Sequence, residues 1–270
     1  GKSSLGQLLL ALKQSAGSAA AQPSLNFGDG QSLINLGSFA QNLHCGQLTE
    51  PLQFELRWRL PEPLALPDVA PQQSLSIDEL CLTVSVIADQ AQQPHLQSMC
   101  YSGFQDGIEQ LSVIYCSDNK AQLQVSIKQP QVLEYSLALA AVARPERFYR
   151  LPATQGQEVA FFAALAVQTE GVLADFQALA ALRAAPQRRY AWSGETPASV
   201  GRAGESAIAA VLTASAQQRK LQFAADQPEL DFQQGIAYWL QQMGVATDFA
   251  IRPLAENAHE YQVQLKSHAN

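Results

Sequence analysis

The chain has 270 residues, of which 47% are hydrophobic and 15% charged, a composition that supports a folded core and excludes a disordered protein. The formal net charge of −7 gives no electrostatic reason to expect a nucleic-acid coat protein or a polybasic membrane-binding protein. No apolar run reaches the ~20 residues of a transmembrane helix and no signal-peptide pattern is found, so we expect a soluble, cytoplasmic protein with no membrane partner.

The cysteines and histidines do not follow a metal-binding pattern. Four of each are scattered along the chain, without a C-x-x-C pair and without H-x-H or H-E-x-x-H spacing. We therefore expect reduced thiols and no metal held by histidine.

Charge is distributed unevenly along the chain. Residues 1–47 carry a net charge of +1, residues 48–135 of −7 and residues 136–270 of −1. Arginines cluster after the acidic segment at two places: Arg144, Arg147 and Arg150, then Arg183, Arg188, Arg189 and Arg202. Their planar guanidinium groups suit phosphate or carboxylate binding, and the alternative is a solvated basic face that pairs with the acidic segment.

Residues 1–47 are predicted to contain a helix and a short strand. The leucines between positions 5 and 12 follow the i, i+3, i+4, i+7 spacing of an amphipathic helix that begins near Ser3 or Ser4. The apolar stretch SLINLGSF is bounded by glycine, which favours a buried strand followed by a turn.

Residues 48–135 change to a period of two, which is typical of strands with one buried and one exposed face. The alternating stretches are 54–59, 80–86, 111–115 and 123–127. Together they predict an antiparallel β meander. The proline-rich piece PEPLALPDVAP is predicted to be a long excursion between the first two strands.

Residues 136–270 are predicted to be helical with a closing β hairpin. The predicted elements are helices over about 157–183, 202–218 and 228–244, then strands over 249–252 and 261–265. Pro186 stops the first of these helices, and Gly244 is suited to cap the last in the left-handed region.

The chain opens with Gly1-Lys2-Ser3-Ser4, directly before the first predicted helix. These residues match the end of a P-loop, G-x-x-x-x-G-K-[ST], in which the lysine reaches the β- and γ-phosphates and the hydroxyl binds Mg²⁺. Lys2 and Ser3 would take these two roles, and the Ser4 hydroxyl would meet another phosphate oxygen. The alternative is an ordinary helix start, since the first glycine and the preceding strand of the motif are absent from the sequence.

Several motifs together resemble one protein family. GKSSLGQLLLALKQS resembles the P-loop and first helix of ABC/SMC-type ATPase heads, in the OLD-like and RecF-like branch often labelled AAA family ATPase. INLGSFAQNLH is similar to the segment of that branch where a Gly-Ser/Thr-Phe turn leads to a histidine, near the glutamine loop of ABC heads. The resemblance implies that Gln41 and His44 contact Mg²⁺ or the attacking water.

The most specific match is LRAAPQRRYAWSGETPASVGRAGESAIAAVL at 182–212. It is similar to a motif with an arginine, a proline, an arginine–tyrosine pair, a Val-Gly, a Gly-Glu and an alanine-rich helix. In this chain the motif residues are Arg183, Pro186, Arg189, Tyr190, Val200, Gly201, Gly204 and Glu205. The segment 239–266 resembles the part that follows, whereas Ala180-Ala181-Leu182 departs from the aromatic-glycine-proline of many relatives.

The resemblance implies an α/β P-loop fold in three parts of one incomplete ATPase head. These parts are a P-loop helix with a glutamine-loop-like segment at 1–47, the meander at 48–135 and the helical part with its hairpin at 136–270. The head would bind ATP and Mg²⁺ and would hydrolyse ATP only with a lobe that carries the Walker B acid and signature serine, which this sequence lacks. By the same resemblance, a second head would complete a homodimer that gates DNA or an effector protein. We expect no ATPase activity from this chain alone.

Two alternatives to an ATPase stay open. The first is a non-catalytic protein-interaction module derived from a truncated or degenerate ATPase, which the missing Walker B acid favours. The second is an α+β scaffold without a ligand. The arginines at 183, 188 and 189 are candidates for contacts with phosphate or a partner, or for a structural basic loop.

The tryptophans and one glutamate complete the set of candidate residues. Trp192 lies beside the arginines in the polar loop YAWSGE and is a candidate for a partner contact. Trp58 and Trp239 are expected in the core. Glu205 is expected in the first turn of a helix, where the helix dipole favours an acid.

Overall fold

The structure is a computed structural model that describes residues 2–18, 25–29, 32–70, 73–117, 122–128, 132–138, 145, 147–152, 160–225, 228–256 and 259–267. These residues form four α-helices and eleven β-strands, so the predicted mixture of helices and strands is confirmed. The chain divides into two compact units, unit 1 at Gly1–Phe176 and unit 2 at Gln177–Asn270. None of the four helices combines the length and the apolar character needed to cross a lipid bilayer.

Helix α1 spans Lys2–Gly17. Its second half packs into the core of unit 1, where Leu12 is fully buried and Ser15 is buried one turn later. Leu5 in the first half is 66% exposed, so the predicted leucine stripe is buried only toward the C-terminal end of the helix.

The strand predicted for SLINLGSF is wrong. Residues 32–38 are irregular, and two short 3₁₀ helices follow at Phe39–Asn42 and His44–Gly46. The side chain of Asn35 accepts a hydrogen bond from the Gly37 N–H at 3.0 Å, and Gly37 has a φ of +72°. The chain therefore turns before a strand can form.

Unit 1 contains a six-stranded sheet in the order β1-β2-β3-β4-β5-β6, and every neighbouring pair is antiparallel. The strands are β1 (Leu52–Ala70), β2 (Gln73–Ala88), β3 (Pro94–Gln105), β4 (Ile108–Cys116), β5 (Gln122–Ile127) and β6 (Leu133–Ala138). The antiparallel meander is thus confirmed, with two strands more than predicted. Strand β3 was missed because its buried positions change phase between Leu96 and Met99, opposite a register shift in β2.

The excursion predicted for PEPLALPDVAP is also wrong, since these residues up to Ala70 belong to β1. The register of β1 against β2 shifts between Arg59 and Leu64 and again between Leu66 and Ala70. Strand β1 is the edge of the sheet in the described residues. Prolines are tolerated there because one side of an edge strand does not need to donate to a ladder.

One face of the sheet carries the core of unit 1. In β2 every second residue is fully buried: Leu80, Leu82, Val84 and Val86. Helix α2 (Ala160–Asp175) covers this face with Phe161, Leu165 and Leu173 and also packs against α1. The arrangement is a two-layer packing of helix on sheet.

Helix α2 ends at Asp175, well before the predicted end at Arg183. The N–H of Ala180 donates to the Arg202 carbonyl at 2.7 Å, and the N–H of Ala184 donates to the Ala203 carbonyl at 2.8 Å. These amides are therefore bound by a neighbouring segment, and they do not continue the helix. The alanine-rich run has no buried face, because residues 181–189 are all exposed.

The described residues of unit 2 form two helices and five short strands. They are β7 (Tyr190–Ala191), α3 (Ala207–Ala216), β8 (Lys220–Leu221), β9 (Leu230–Asp231), α4 (Phe232–Gln242), β10 (Asp248–Pro253) and β11 (Glu260–Lys266). Strands β10, β11 and β7 form one sheet in that order, which confirms the closing hairpin. Asp231 caps α4 by accepting the Gln234 N–H, and Gly244 follows the helix with a φ of +67°, as predicted.

Of the expectations for Glu205, Trp239 and Trp58, the first two are corrected and the third agrees with the structure. Helix α3 begins at Ala207, because Gly201 and Gly204 have φ values of +81° and +79°, so Glu205 precedes the helix. Trp239 is 46% exposed on α4 and is not a core residue. Trp58 is partly buried and packs against the core of unit 1.

Candidate functional site

The residues predicted to bind nucleotide lie at the start of α1. Gly1 is outside the described residues, and the helix begins at Lys2. Ser3 and Ser4 follow in the first turn and are both exposed. This turn contains no acidic residue, so no carboxylate of the helix competes for the partial positive charge of its N–H groups. The start of α1 is therefore suited to an anion such as phosphate.

The predicted glutamine-loop residues lie in the two 3₁₀ helices. The Gln41 side chain accepts a hydrogen bond from the Ser38 N–H at 2.9 Å and forms a capping box with that residue. His44 begins the second 3₁₀ helix and is exposed. Within the described part of unit 1, no hydrogen bond joins Ser3 to Gln41 or His44.

Arg147 of the first arginine cluster and Lys13 cap the C-terminal ends of α1 and α2. Arg147 donates hydrogen bonds to the carbonyls of Ala16 and Ser18 at the C-terminal end of α1. Lys13 of α1 donates in turn to the carbonyls of Ala174 and Phe176 at the end of α2, at 2.8 and 2.7 Å. Each helix thus ends on a cation that satisfies free carbonyls and the negative end of the dipole. Arg144 lies outside the described residues.

A buried chain of hydrogen bonds connects the sheet to α2. The Tyr101 hydroxyl donates to the Tyr149 carbonyl at 2.7 Å and lies 2.8 Å from the Thr169 hydroxyl. The Tyr149 hydroxyl donates to the Glu170 carboxylate at 2.7 Å, and Arg150 pairs with the same carboxylate at 2.8 Å. Burial raises the pKa of Tyr101, and the hydrogen bond from Tyr149 lowers the pKa of Glu170. Sequence reasoning missed this network because its members are far apart in the chain.

The motif at 182–212 forms a pocket in unit 2, which we call the arginine pocket. The cavity volume is about 440 Å³. Its lining residues include six of the motif residues: Arg183, Pro186, Tyr190, Val200, Gly204 and Glu205. Leu179 and Ile208 add to the apolar wall. Residues identified by resemblance are therefore brought together in space.

Glu205 lines this pocket, and Gly201 leaves room for its carboxyl group. The Glu205 carboxylate accepts the Ala203 N–H at 2.8 Å, and hydrogen bonds from its own backbone N–H and from Ala203 lower its pKa. A Cβ on Gly201 would overlap the Glu205 carboxyl group, and the φ of +81° there is unfavourable for other residues. Gly201 of the motif thus leaves room for the carboxyl group of Glu205.

The second arginine cluster and Trp192 differ in their surroundings. Arg183 and Arg188 are exposed and form no ion pair with the described residues, whereas Arg189 pairs with Glu260 at 3.5 Å. Trp192 donates its indole N–H to the Glu195 carbonyl at 2.9 Å, and its ring packs against Tyr261. Trp192 is thus part of the small core of unit 2.

The potential metal ligands and the cysteines of the described residues are the groups relevant to metal and thiol chemistry. No group of three or more His, Cys, Asp or Glu side chains there is arranged to hold a metal ion. None of the four cysteines forms a disulfide bond with the described residues, and burial raises the pKa of Cys81. An Mg²⁺ ion that arrives with a nucleotide would take its ligands mainly from phosphate oxygens.

Comparison of the chain with protein-family models, with curated proteins and with solved structures found no match. The features that indicate a function are therefore the sequence motifs, the start of α1 and the arginine pocket.

Proposed function

We propose that the chain is the nucleotide-binding N-terminal portion of an ABC/SMC-type ATPase head. The observation that carries this proposal is the start of α1, where a 16-residue helix begins at Lys2 with two exposed hydroxyls and no acid in its first turn. A helix start of this kind binds anions through its free N–H groups and its dipole. The antiparallel meander that follows α1 and the three further motifs in the chain agree with the proposal.

Each residue of the tetrapeptide has a role in this proposal. Lys2 binds the β- and γ-phosphates of ATP, Ser3 binds Mg²⁺ and Ser4 binds a further phosphate oxygen. Gln41 and His44 approach the Mg²⁺ or the attacking water from the 3₁₀ helices. Mg²⁺ neutralises phosphate charge when it is bound with ATP.

Hydrolysis in this proposal needs groups that the sequence does not contain. A Walker B acid and a signature serine come from a further lobe and from a second head in a homodimer. Closure of the two heads then gates a DNA-related or defence activity through DNA or an effector protein. The proposal places the protein in the cytoplasm, where ATP is available and thiols stay reduced.

Calorimetric titration of Lys2→Ala with a non-hydrolysable ATP analogue and Mg²⁺ tests the proposal. A charged hydrogen bond to phosphate contributes about 1.5–3 kcal/mol, so we expect a loss of about 10- to 100-fold in affinity. Ser3→Ala should remove most of the dependence of the affinity on Mg²⁺, since the hydroxyl is proposed as its ligand.

Lys220→Ala is the matched control, because Lys220 is an exposed lysine of unit 2 outside the proposed site. Its affinity for the analogue should equal that of the parent. Equal binding by parent and Lys2→Ala, or no binding by the parent, contradicts the proposal.

A further inference from the structure

We propose that the arginine pocket of unit 2 docks an acidic peptide segment of a partner protein, with an apolar side chain of that segment in the cavity. This inference does not depend on nucleotide binding by α1. It is based on three features of the pocket: an exposed apolar wall, guanidinium groups without an ion pair, and a loop held in place by backbone hydrogen bonds.

The apolar wall is accessible from solvent. Leu179 is 54% exposed and Val200 38% exposed in the lining of the pocket, and Leu182 in the same loop is 84% exposed. A single exposed apolar residue needs no explanation, but Leu179 and Val200 both line this cavity and Leu182 lies in the same loop. A group of exposed apolar residues of this kind marks an interaction site. The volume of about 440 Å³ has room for a large apolar side chain and its neighbours.

The charge beside this wall selects an acidic partner. Arg183 lines the pocket and Arg188 follows in the same loop, and neither forms an ion pair with the described residues. The carboxylate of Glu205 is already bound by the Ala203 N–H, at 2.8 Å. The two guanidinium groups are thus available for carboxylates, which they bind in a bidentate manner.

The surroundings favour a peptide over a nucleic acid. Unit 2 has eight Lys and Arg residues and eight Asp and Glu residues, so it lacks the positive field that binds a phosphate backbone. The nearby indole ring of Trp192 is engaged within the unit, because it packs against Tyr261 and donates its N–H to the Glu195 carbonyl. Base stacking would need such rings to be accessible.

The loop that carries the arginines is ordered before any partner binds. Hydrogen bonds from Ala180 to Arg202 and from Ala184 to Ala203, at 2.7 and 2.8 Å, attach it to the segment that forms the opposite wall. A preformed site loses less conformational entropy on binding, so a short segment suffices as the partner.

Selection of random peptides of about 12 residues by phage display on the whole chain tests the inference. We expect enriched sequences with Asp or Glu beside Leu, Ile, Met or Phe. A synthetic peptide of the enriched consensus should bind the double variant Arg183→Glu/Arg188→Glu about tenfold more weakly or worse, because two attractions become repulsions. Leu179→Ala should weaken binding about threefold or more through lost apolar contact.

Matched controls lie in the same unit, outside the pocket. Arg219→Glu reverses another exposed arginine and Leu221→Ala shortens another exposed leucine, and neither should change the affinity. The salt dependence of the parent is a further test of charge pairing. Its affinity for the peptide should fall as NaCl rises from about 50 to about 300 mM, because salt screens the attraction between arginine and carboxylate.

Several outcomes overturn the inference. These are no enrichment of acidic–apolar peptides, equal binding by the parent and the double variant, or an affinity of the parent that does not change with salt. Binding of a poly-dT oligonucleotide that is lost in Arg183→Glu/Arg188→Glu would assign the surface to nucleic acid. A concentration-dependent dimer in sedimentation that the same variant abolishes would assign it to a second copy of the chain.

Discussion

Polar side chains in unit 1 form hydrogen bonds with groups far away in the sequence, and Tyr101 is a fully buried example. Its hydroxyl binds the Tyr149 carbonyl and contacts Thr169. Tyr101→Phe leaves these buried groups with one partner fewer, so we expect the free energy of unfolding to fall by about 1–3 kcal/mol in urea denaturation.

Tyr135→Phe is the control for this substitution. The Tyr135 hydroxyl donates to the Val69 carbonyl at 2.8 Å from a half-buried position, where water can replace it. We expect a smaller loss of stability than for Tyr101→Phe. A loss of equal size in both variants would mean that the buried network contributes nothing of its own.

Glu170 makes the stability of unit 1 depend on pH. Hydrogen bonds from Tyr149 and then from Arg150 lower its pKa below the ordinary value of 4.5. Since the folded pKa is lowered, the stabilisation is fully present above pH 4.5 and is lost as pH falls through the lower folded value. In Glu170→Gln the free energy of unfolding should be lower at neutral pH and should fall less steeply in acid.

Urea denaturation from neutral pH to about one unit below 4.5 measures this difference. Glu62→Gln removes an exposed carboxylate of β1 and should keep the acid dependence of the parent. Parallel curves for the parent and Glu170→Gln would show that Glu170 does not contribute to the acid sensitivity.

At the scale of helices and strands, two helical glycines differ in what surrounds them. A Cβ on Gly235 of α4 would overlap the Phe223 ring, whereas a Cβ on Gly171 of α2 meets nothing within 4 Å. Gly171→Ala should therefore stabilise by about 0.5–1 kcal/mol through helix propensity. Gly235→Ala should destabilise by about 1–3 kcal/mol, because the ring must move.

Urea denaturation of both variants, followed by hydrogen exchange in α2 and α4, separates the two effects. The pair of variants controls for the chemical change, since each adds the same methyl group to a helix. Stabilisation by Gly235→Ala would mean that Phe223 moves aside without loss of packing.

The strands that could be predicted from the sequence are those whose alternation is unbroken. Strand β2 buries every second residue from Leu80 to Val86, so its period was visible. Strand β3 changes phase at a bulge, and α2 ends where an alanine run has no surface to pack against, which local spacing does not reveal.

The candidate sites likewise differ in whether a local sequence pattern predicts them. The motif at 182–212 predicted residues that do meet in the arginine pocket. Local spacing predicted a helix start near Ser3 or Ser4, close to the observed start at Lys2. The network around Tyr101 depends on contacts between β3, the 147–150 loop and α2. Such contacts follow from the packing of the whole unit and have no local pattern.

At the scale of the whole molecule, the two units have cores of different size. Unit 1 has a continuous core that includes the sheet, α1 and α2. The core of unit 2, in its described residues, contains Val211, Leu212 and Ile251 as its buried members. Because buried apolar area supplies most of the stabilisation, we expect unit 2 to unfold at a lower urea concentration than unit 1.

Hydrogen exchange at increasing urea concentration, read from amides of β3 for unit 1 and of α3 for unit 2, measures this order. The α3 amides should lose protection first. A single transition shared by both sets of amides would contradict separate stabilities.

The edge of the large sheet bears on how the protein behaves at high concentration. A long edge strand is a template on which other chains can add strands and begin fibril growth. In β1 the register breaks at the stretch that holds Pro61 and Pro63, and Arg59 beside it is 90% exposed at its side chain. These prolines hide the strand from sequence prediction and interrupt the template, so we expect them to oppose self-assembly along this edge of the sheet.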